Sequence, residues 1–255
     1  MAKIKPIEVK INGKETNIPA HYLLDGGPVG TYVQARLLIV ALGIGKVTGK
    51  GDYIEIITHP VTKPLAGRRI AISAAHGDGR NVSGCNPAYN ESDFVLQAAL
   101  ELEQMLLADG AVVHLPRRGL KEDMSLAERS RRINKFGADI CIELHTDSIG
   151  TGCTLARGIH IIRQVLRPGD PLAQCLQDEL ANCTGLPKSV RGIWSKEGQP
   201  GYDWCHMLRV PSAHNVMVEC GFHSNKQDLE FLLSPGAPRL VAQGIRSGLR
   251  KFFLR

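Results

Sequence analysis

Between Arg69 and Phe253 short apolar runs alternate with segments whose apolar residues recur at helical spacing, and this alternation constrains the fold more than any other feature. Arg69 to Ala74 reads as a buried strand. Glu91 to Ala108 carries Phe94, Val95, Ala98, Leu102, Met105 and Leu106 at helical intervals and stops at Asp109-Gly110. Ala111 to Leu115, Asp139 to Leu144, Gly158 to Ile162 and Asn215 to Glu219 read as further strands. Ser125 to Phe136, Pro171 to Cys183 and Arg239 to Phe253 read as helices, the first opened by Ser125 and Glu128 at the spacing of a capping box. Repeated strand, helix and strand units predict an α/β fold: a mixed, mostly parallel sheet with helices on both faces.

The amino-terminal part follows another pattern. Residues 6–11 alternate towards Asn12-Gly13, a dipeptide suited to a hairpin turn, and Glu15 to Ile18 can return. Tyr32 to Leu42 suits a buried helix closed by Gly43; Lys46-Val47 and Tyr53 to Thr58 suit two strands. This predicts a small α+β domain over 1–58 and an extended linker over 59–66, where Pro60 and Pro64 fall, before the main domain over 67–255.

Composition narrows the classes. The net charge of +6, from 31 basic and 25 acidic residues, suits an anionic partner such as nucleic acid, phospholipid or wall polymer without choosing among them. No helix-turn-helix, zinc-finger or aromatic RNA-binding motif is present, so no nucleic-acid partner is expected. The longest apolar run, Leu37 to Ile44, is too short to span a bilayer, and the amino end lacks the apolar stretch of an export signal. The expected place of synthesis is the cytoplasm, without a signal peptide. Seven cysteines, an odd number without C-x-x-C spacing, predict reduced and mostly packed thiols.

In a sheet of this kind ligands bind beyond the carboxyl ends of the strands. One strand leads to Ala75-His76-Gly77-Asp78-Gly79, where glycine allows close approach to an ion or substrate. Another ends Glu143-Leu144-His145-Thr146-Asp147-Ser148, a third ends Val218-Glu219-Cys220-Gly221-Phe222, and Glu91 opens the first long helix. Two histidines and a carboxylate with an open fourth position make up a common catalytic zinc set, and a further carboxylate can act as base. Taken singly, a strand-end histidine is more often hydrogen-bonded than ligating, and Glu91 suits a helix's first turn without any metal. Glu219, in a buried-type strand, calls for a partner cation or a raised pKa.

The order of these motifs matches a family. Ala75-His76-Gly77 is followed by Tyr89-Asn90-Glu91-Ser92-Asp93-Phe94, then by Glu128-Arg129 and Ile133-Asn134, His145-Thr146-Asp147-Ser148, and Gly158-Ile159-His160-Ile161. Val218-Glu219-Cys220-Gly221-Phe222-His223-Ser224-Asn225 with Asp228 completes the series and is its most specific part. From Arg69 to Phe253 the chain resembles the zinc-dependent N-acetylmuramoyl-L-alanine amidases of the type 3 catalytic domain, which cut peptidoglycan. The resemblance implies that His76, Glu91 and His145 bind Zn2+ and that Glu219 is the catalytic acid/base. Ala75 stands where the family usually has Gly, and Glu143 where a small residue such as Ser is common. Glu143 falls on the same strand face as His145, as a supporting partner, a competitor for the metal, or an Arg-paired or exposed acid. His160, His206, His214 and His223 are read as non-ligands.

Gly30-Thr31-Tyr32-Val33-Gln34-Ala35-Arg36 with the following helix resembles the small amino-terminal domain of copper amine oxidases, also an accessory domain of wall hydrolases, with Gln34 where Pro is usual. Eight basic and five acidic residues over 1–66 make too small an excess for a polymer-binding patch, which favours packing or a homodimer through this domain. The expectation is a peptidoglycan or muropeptide amidase, a phage or prophage lysin reaching the wall through a separate pore, or a wall-remodelling enzyme whose leader has been cleaved. The alternatives are a zinc peptidase acting on stem peptides and a non-catalytic wall-binding protein.

Overall fold

The computed structural model describes residues 4–11, 14–23, 45–50 and 53–58, and residues 63–255 except 78 and 80. The chain divides into two compact units, Met1–Thr62 and Lys63–Arg255.

In the first unit, β1 (Ile4–Ile11) and β2 (Lys14–Leu23) form an antiparallel pair that closes with Ile11 opposite Lys14, and the turn expected at Asn12-Gly13 lies outside the described residues. β3 (Gly45–Lys50) and β4 (Tyr53–Thr58) form a second antiparallel pair, and β4 runs parallel to β1, giving the order β2-β1-β4-β3. The helix expected over Tyr32–Leu42 lies outside the described residues.

The second unit is built on a mixed, mostly parallel six-stranded sheet. Its strands are β5 (Arg69–Ala74), β6 (Val112–His114), β7 (Ile140–Asp147), β8 (Ile159–Arg163), β9 (Lys188–Trp194) and β12 (His214–Phe222). The order is β6-β5-β7-β12-β8-β9; β6, β5, β7 and β12 are mutually parallel, and β8 turns antiparallel to β12. A separate hairpin joins β10 (Glu197–Gln199) to β11 (Tyr202–Asp203).

The period of two along each strand sorts the side chains. Ile70, Ile72 and Ala74, Ile140, Ile142 and Leu144, and Val216, Val218 and Cys220 enter the main core. They pack against α1 (Glu91–Ala108), α3 (Pro171–Thr184) and α6 (Ala237–Phe253). α3 and α6 approach closely because Gly244 and Gly248 leave room: a Cβ there would lie 2.8 Å from Leu180 Cα and 2.9 Å from Leu176 Cα. On the opposite face Ala71 and Cys141 meet Ile133 of α2 (Leu126–Phe136) and Met207 of the short α4 (His206–Arg209). Glu143, His145 and Glu219 share the strand parity of this second face, so the chemistry lies away from the main core.

Helix ends follow local rules. Asn90 accepts from Asp93 N–H at the start of α1, and Asp170, ahead of Pro171, caps α3. Ser125 accepts from Glu128 N–H, and Gly137 closes α2 at φ 69°. The return half of the expected capping box is replaced: the Glu128 carboxylate accepts from Arg131 at 2.7 Å and Arg132 at 2.8 Å.

The expectation that every thiol is reduced is corrected. Cys85 and Cys153 form a disulfide across 68 residues, with Cα atoms 4.7 Å apart, while Cys141, Cys175 and Cys220 are buried free thiols. Spacing along the chain cannot show this pairing. It depends on two loops lying side by side, so closely that a Cβ on Gly84 would collide with the carbonyl of Thr151.

Candidate active site

His76 follows the end of β5 in the left-handed region, φ 53°, uncommon for a residue with a side chain. Two buried arginines hold this turn by its carbonyls. Arg129 donates to the carbonyls of Ala74 and His76 and to Ser73 Oγ, while Arg117 reaches the carbonyls of Ala75 and Ser92 at 2.9 and 3.0 Å. Gly77 is required for a reason other than close approach of a ligand: a Cβ there would run into the carbonyl of Glu122.

Glu91, first residue of α1 and 1% exposed, lies between the two histidines. Its Oε1 is 3.0 Å from His145 Nδ1 and accepts Thr146 N–H at 3.0 Å; its Oε2 is 3.4 Å from His76 Nε2. One ligand-capable atom from each of His76, Glu91 and His145 falls within 4.8 Å of the others, and the histidine rings stand perpendicular. Two imidazole nitrogens and a carboxylate oxygen at this spacing suit a zinc ion. Burial works to raise the Glu91 pKa, but hydrogen bonds to His145 and His76 overcome it and hold the carboxyl far below its ordinary range. Burial works to lower His145, and Glu143 and Glu91 outweigh it, holding that imidazole well above its ordinary value.

Glu219 lies on β12 directly across from His145. It is 7% exposed, and its Oε2 has no hydrogen-bond partner among the described residues. Burial, with smaller contributions from Asp147 and Glu91, pushes its pKa up to about 8 against the opposing pull of His145 and Arg191. His76, Glu91, His145 and Glu219 line one cleft of about 390 Å³, so the structure brings together all four residues singled out in the sequence. The rest of the Glu219 motif builds the turn: buried Asp228 accepts the N–H groups of Gly158 and Phe222, and Asn225 caps α5 (Lys226–Leu232).

The remaining histidines named in the sequence have other partners, and of them His223 also lines the cleft of Glu219. His160 Nε2 lies 2.9 Å from Asp147 and its Nδ1 accepts from Trp194; His214 meets Asp170, and His206 meets Ser130. His223 Nδ1 is 2.9 Å from Thr146 Oγ1, which also meets Tyr89 Oη at 3.0 Å. Asn81 carries no sequence signal beyond its place in a loop, yet its Nδ2 is 2.8 Å from His76 Nε2 and donates to Glu91 Oε2 at 3.0 Å. A second cleft, about 740 Å³, also reaches His76 and His145 and is lined by Glu143, Arg129, Met217 and Trp204.

A family model described as N-acetylmuramoyl-L-alanine amidase matches residues 70–251. The chain belongs to this amidase family. The N-acetylmuramoyl-L-alanine amidase CwlM of Mycobacterium tuberculosis is 28% identical over 199 residues, which are 74% of this chain and 46% of that protein. The probable cell wall amidase LytH of Staphylococcus aureus is 24% identical over 215 residues, 82% of this chain and 67% of that protein. The chain thus spans about half to two thirds of the length of these relatives. The catalytic domain of the amidase CwlV from Bacillus (Paenibacillus) polymyxa var. colistinus superposes with a TM-score of 0.62 at 25% identity, covering 72% of this chain and 97% of that domain. Among the described residues of this amidase-family chain, no helix is long and apolar enough to cross a membrane.

Proposed function

We propose that the chain hydrolyses the amide between the lactyl carbonyl of N-acetylmuramic acid and the amino group of L-alanine in peptidoglycan, with zinc held by His76, Glu91 and His145. The observation that carries this reading is the convergence of three ligand atoms within 4.8 Å at the ends of two strands and the start of a helix, in a member of the amidase family. When bound, zinc polarises the scissile carbonyl and makes the attacking water more acidic.

Glu219 takes the water's proton as its oxygen attacks the lactyl carbonyl carbon, and returns a proton to the alanine nitrogen as the carbon–nitrogen bond breaks. A carboxyl that burial pushes up to about 8 is suited to both tasks near neutral pH. Thr146 N–H and Asn81 Nδ2 fix the two oxygens of Glu91, and the carbonyl clamps from Arg117 and Arg129 keep the His76 turn from relaxing. The bacterial wall as the place of action is supported by the kinds of protein the chain resembles and by the Cys85–Cys153 disulfide, since such bonds persist in oxidising compartments.

Mass spectrometry of purified wall fragments after digestion tests the reaction. The amidase releases a new lactyl carboxylic acid on the glycan and a free alanine amine on the peptide. A new amino-acid carboxylate within the stem peptide would instead make the chain a zinc peptidase, and unchanged fragments would leave a wall-binding protein.

A further inference from the structure

His145 offers two ring nitrogens, and each faces a different carboxylate. Nδ1 is turned to Glu91 Oε1 at 3.0 Å, on the side where the three ligand atoms converge. Nε2 is turned away, 3.7 Å from Glu143 Oε1. A neutral imidazole that gives one nitrogen to a metal carries its proton on the other, and that N–H needs an acceptor. At 3.7 Å the Glu143 contact is an ion-pair distance and not a formed hydrogen bond, which a shift of the ring would close.

Glu143 is difficult to explain otherwise. It is 2% exposed, flanked in register by Ser73 and Met217, and its Oε2 finds no hydrogen-bond partner among the described residues. Arg129 is the neighbouring cation, but its Nη1 is 4.0 Å from Glu143 Oε1, and its guanidinium donates instead to the carbonyls of Ala74 and His76 and to Ser73 Oγ. A buried carboxylate with so little direct pairing is costly unless it meets a donor in the working state. Its place behind the His145 ring, outside the group of three converging atoms, also sets it apart from the ligands themselves.

We propose that Glu143 is a positioning residue for His145: it receives the Nε2–H, fixes the ring so that the Nδ1 lone pair faces the metal, and makes the imidazole a stronger donor. This rests on the reading of His76, Glu91 and His145 as zinc ligands. The role predicts an effect on metal affinity that a simple counter-ion to Arg129 would not have.

The test is the zinc dissociation constant of the full chain, by competition with a chromophoric chelator, for the parent, Glu143→Gln and Glu143→Ser. The serine variant is expected to bind zinc about 10- to 100-fold more weakly. The glutamine variant falls between, because its amide oxygen still accepts the Nε2–H without the charge. The visible spectrum of the cobalt-substituted protein should shift in both variants, and glutamine keeps the side-chain volume should serine fail to fold. Parental affinity and an unchanged cobalt spectrum in the glutamine variant overturn the inference while leaving the ligand reading intact. A parent protein that binds no zinc removes the ligand reading and the inference together.

Discussion

Glu219 is the register partner of His145 across the parallel strands β7 and β12, and of His160 on the antiparallel side. The pairing sets the carboxyl beside the group of His76, Glu91 and His145 on the face away from the main core, with its Oε2 left without a hydrogen bond among the described residues. If it is the base, Glu219→Gln keeps zinc bound while hydrolysis of a soluble muropeptide falls by roughly two or more orders of magnitude. Metal content and initial rates of the purified variant check this. Near-parental hydrolysis would move the base elsewhere, and loss of zinc would make Glu219 a ligand.

The raised value of Glu219 also links stability to pH. In the folded chain burial lifts the carboxyl from 4.5 to about 8, so between those values the native state holds a proton that the unfolded chain gives up. The stabilising contribution is fully present below the lower value and is lost as pH rises through the higher one. Urea unfolding of metal-free protein should therefore show the parent losing stability relative to Glu219→Gln from pH 5 to pH 8, by at most about 1.4 kcal/mol per unit. Parallel pH profiles for the two proteins would contradict the burial argument.

The sheet was readable because its central strands carry short, largely apolar runs, such as Ile140 to Leu144, in a chain whose helices have clear caps. That His76, Glu91, His145 and Glu219 come together in one cleft was readable because strand ends and helix starts are where such a sheet places chemistry. β9 escaped because Val190 is fully exposed and the strand lies at the sheet edge, so its apolar pattern is broken. The short α4 and the β10–β11 hairpin have too few residues to show a period. Asn81, Arg117 and the Cys85–Cys153 pair depend on loops that meet only after folding. The same holds for Gly77, whose missing side chain serves the segment at Glu122.

The disulfide makes a thermodynamic forecast. Closing a 68-residue span restricts the unfolded chain, and replacing both Cys85 and Cys153 by Ser should cost about 2–4 kcal/mol in denaturant unfolding. Thiol titration of the unreduced, denatured parent should find five of the seven cysteines reactive. Seven reactive thiols, with no stability change in the double variant, would contradict the bond.

The amino-terminal unit should be dispensable for the chemistry, because every proposed ligand and the proposed base lie within Lys63–Arg255. A protein beginning at Lys63 is expected to bind zinc and cleave a soluble muropeptide almost as well as the full chain. Light scattering should find the full chain dimeric and the shortened one monomeric. An insoluble or zinc-free product would contradict the division of labour, and equal oligomeric states would contradict dimerisation through the small unit.

The account depends most on three side chains sharing one metal ion. Zinc stoichiometry, measured by mass spectrometry on the parent and on His76→Ala, Glu91→Ala and His145→Ala, tests this most directly. The account predicts close to one zinc per chain in the parent and loss of most of it in each variant, with activity disappearing alongside the metal. Full zinc retention in both histidine variants would contradict it.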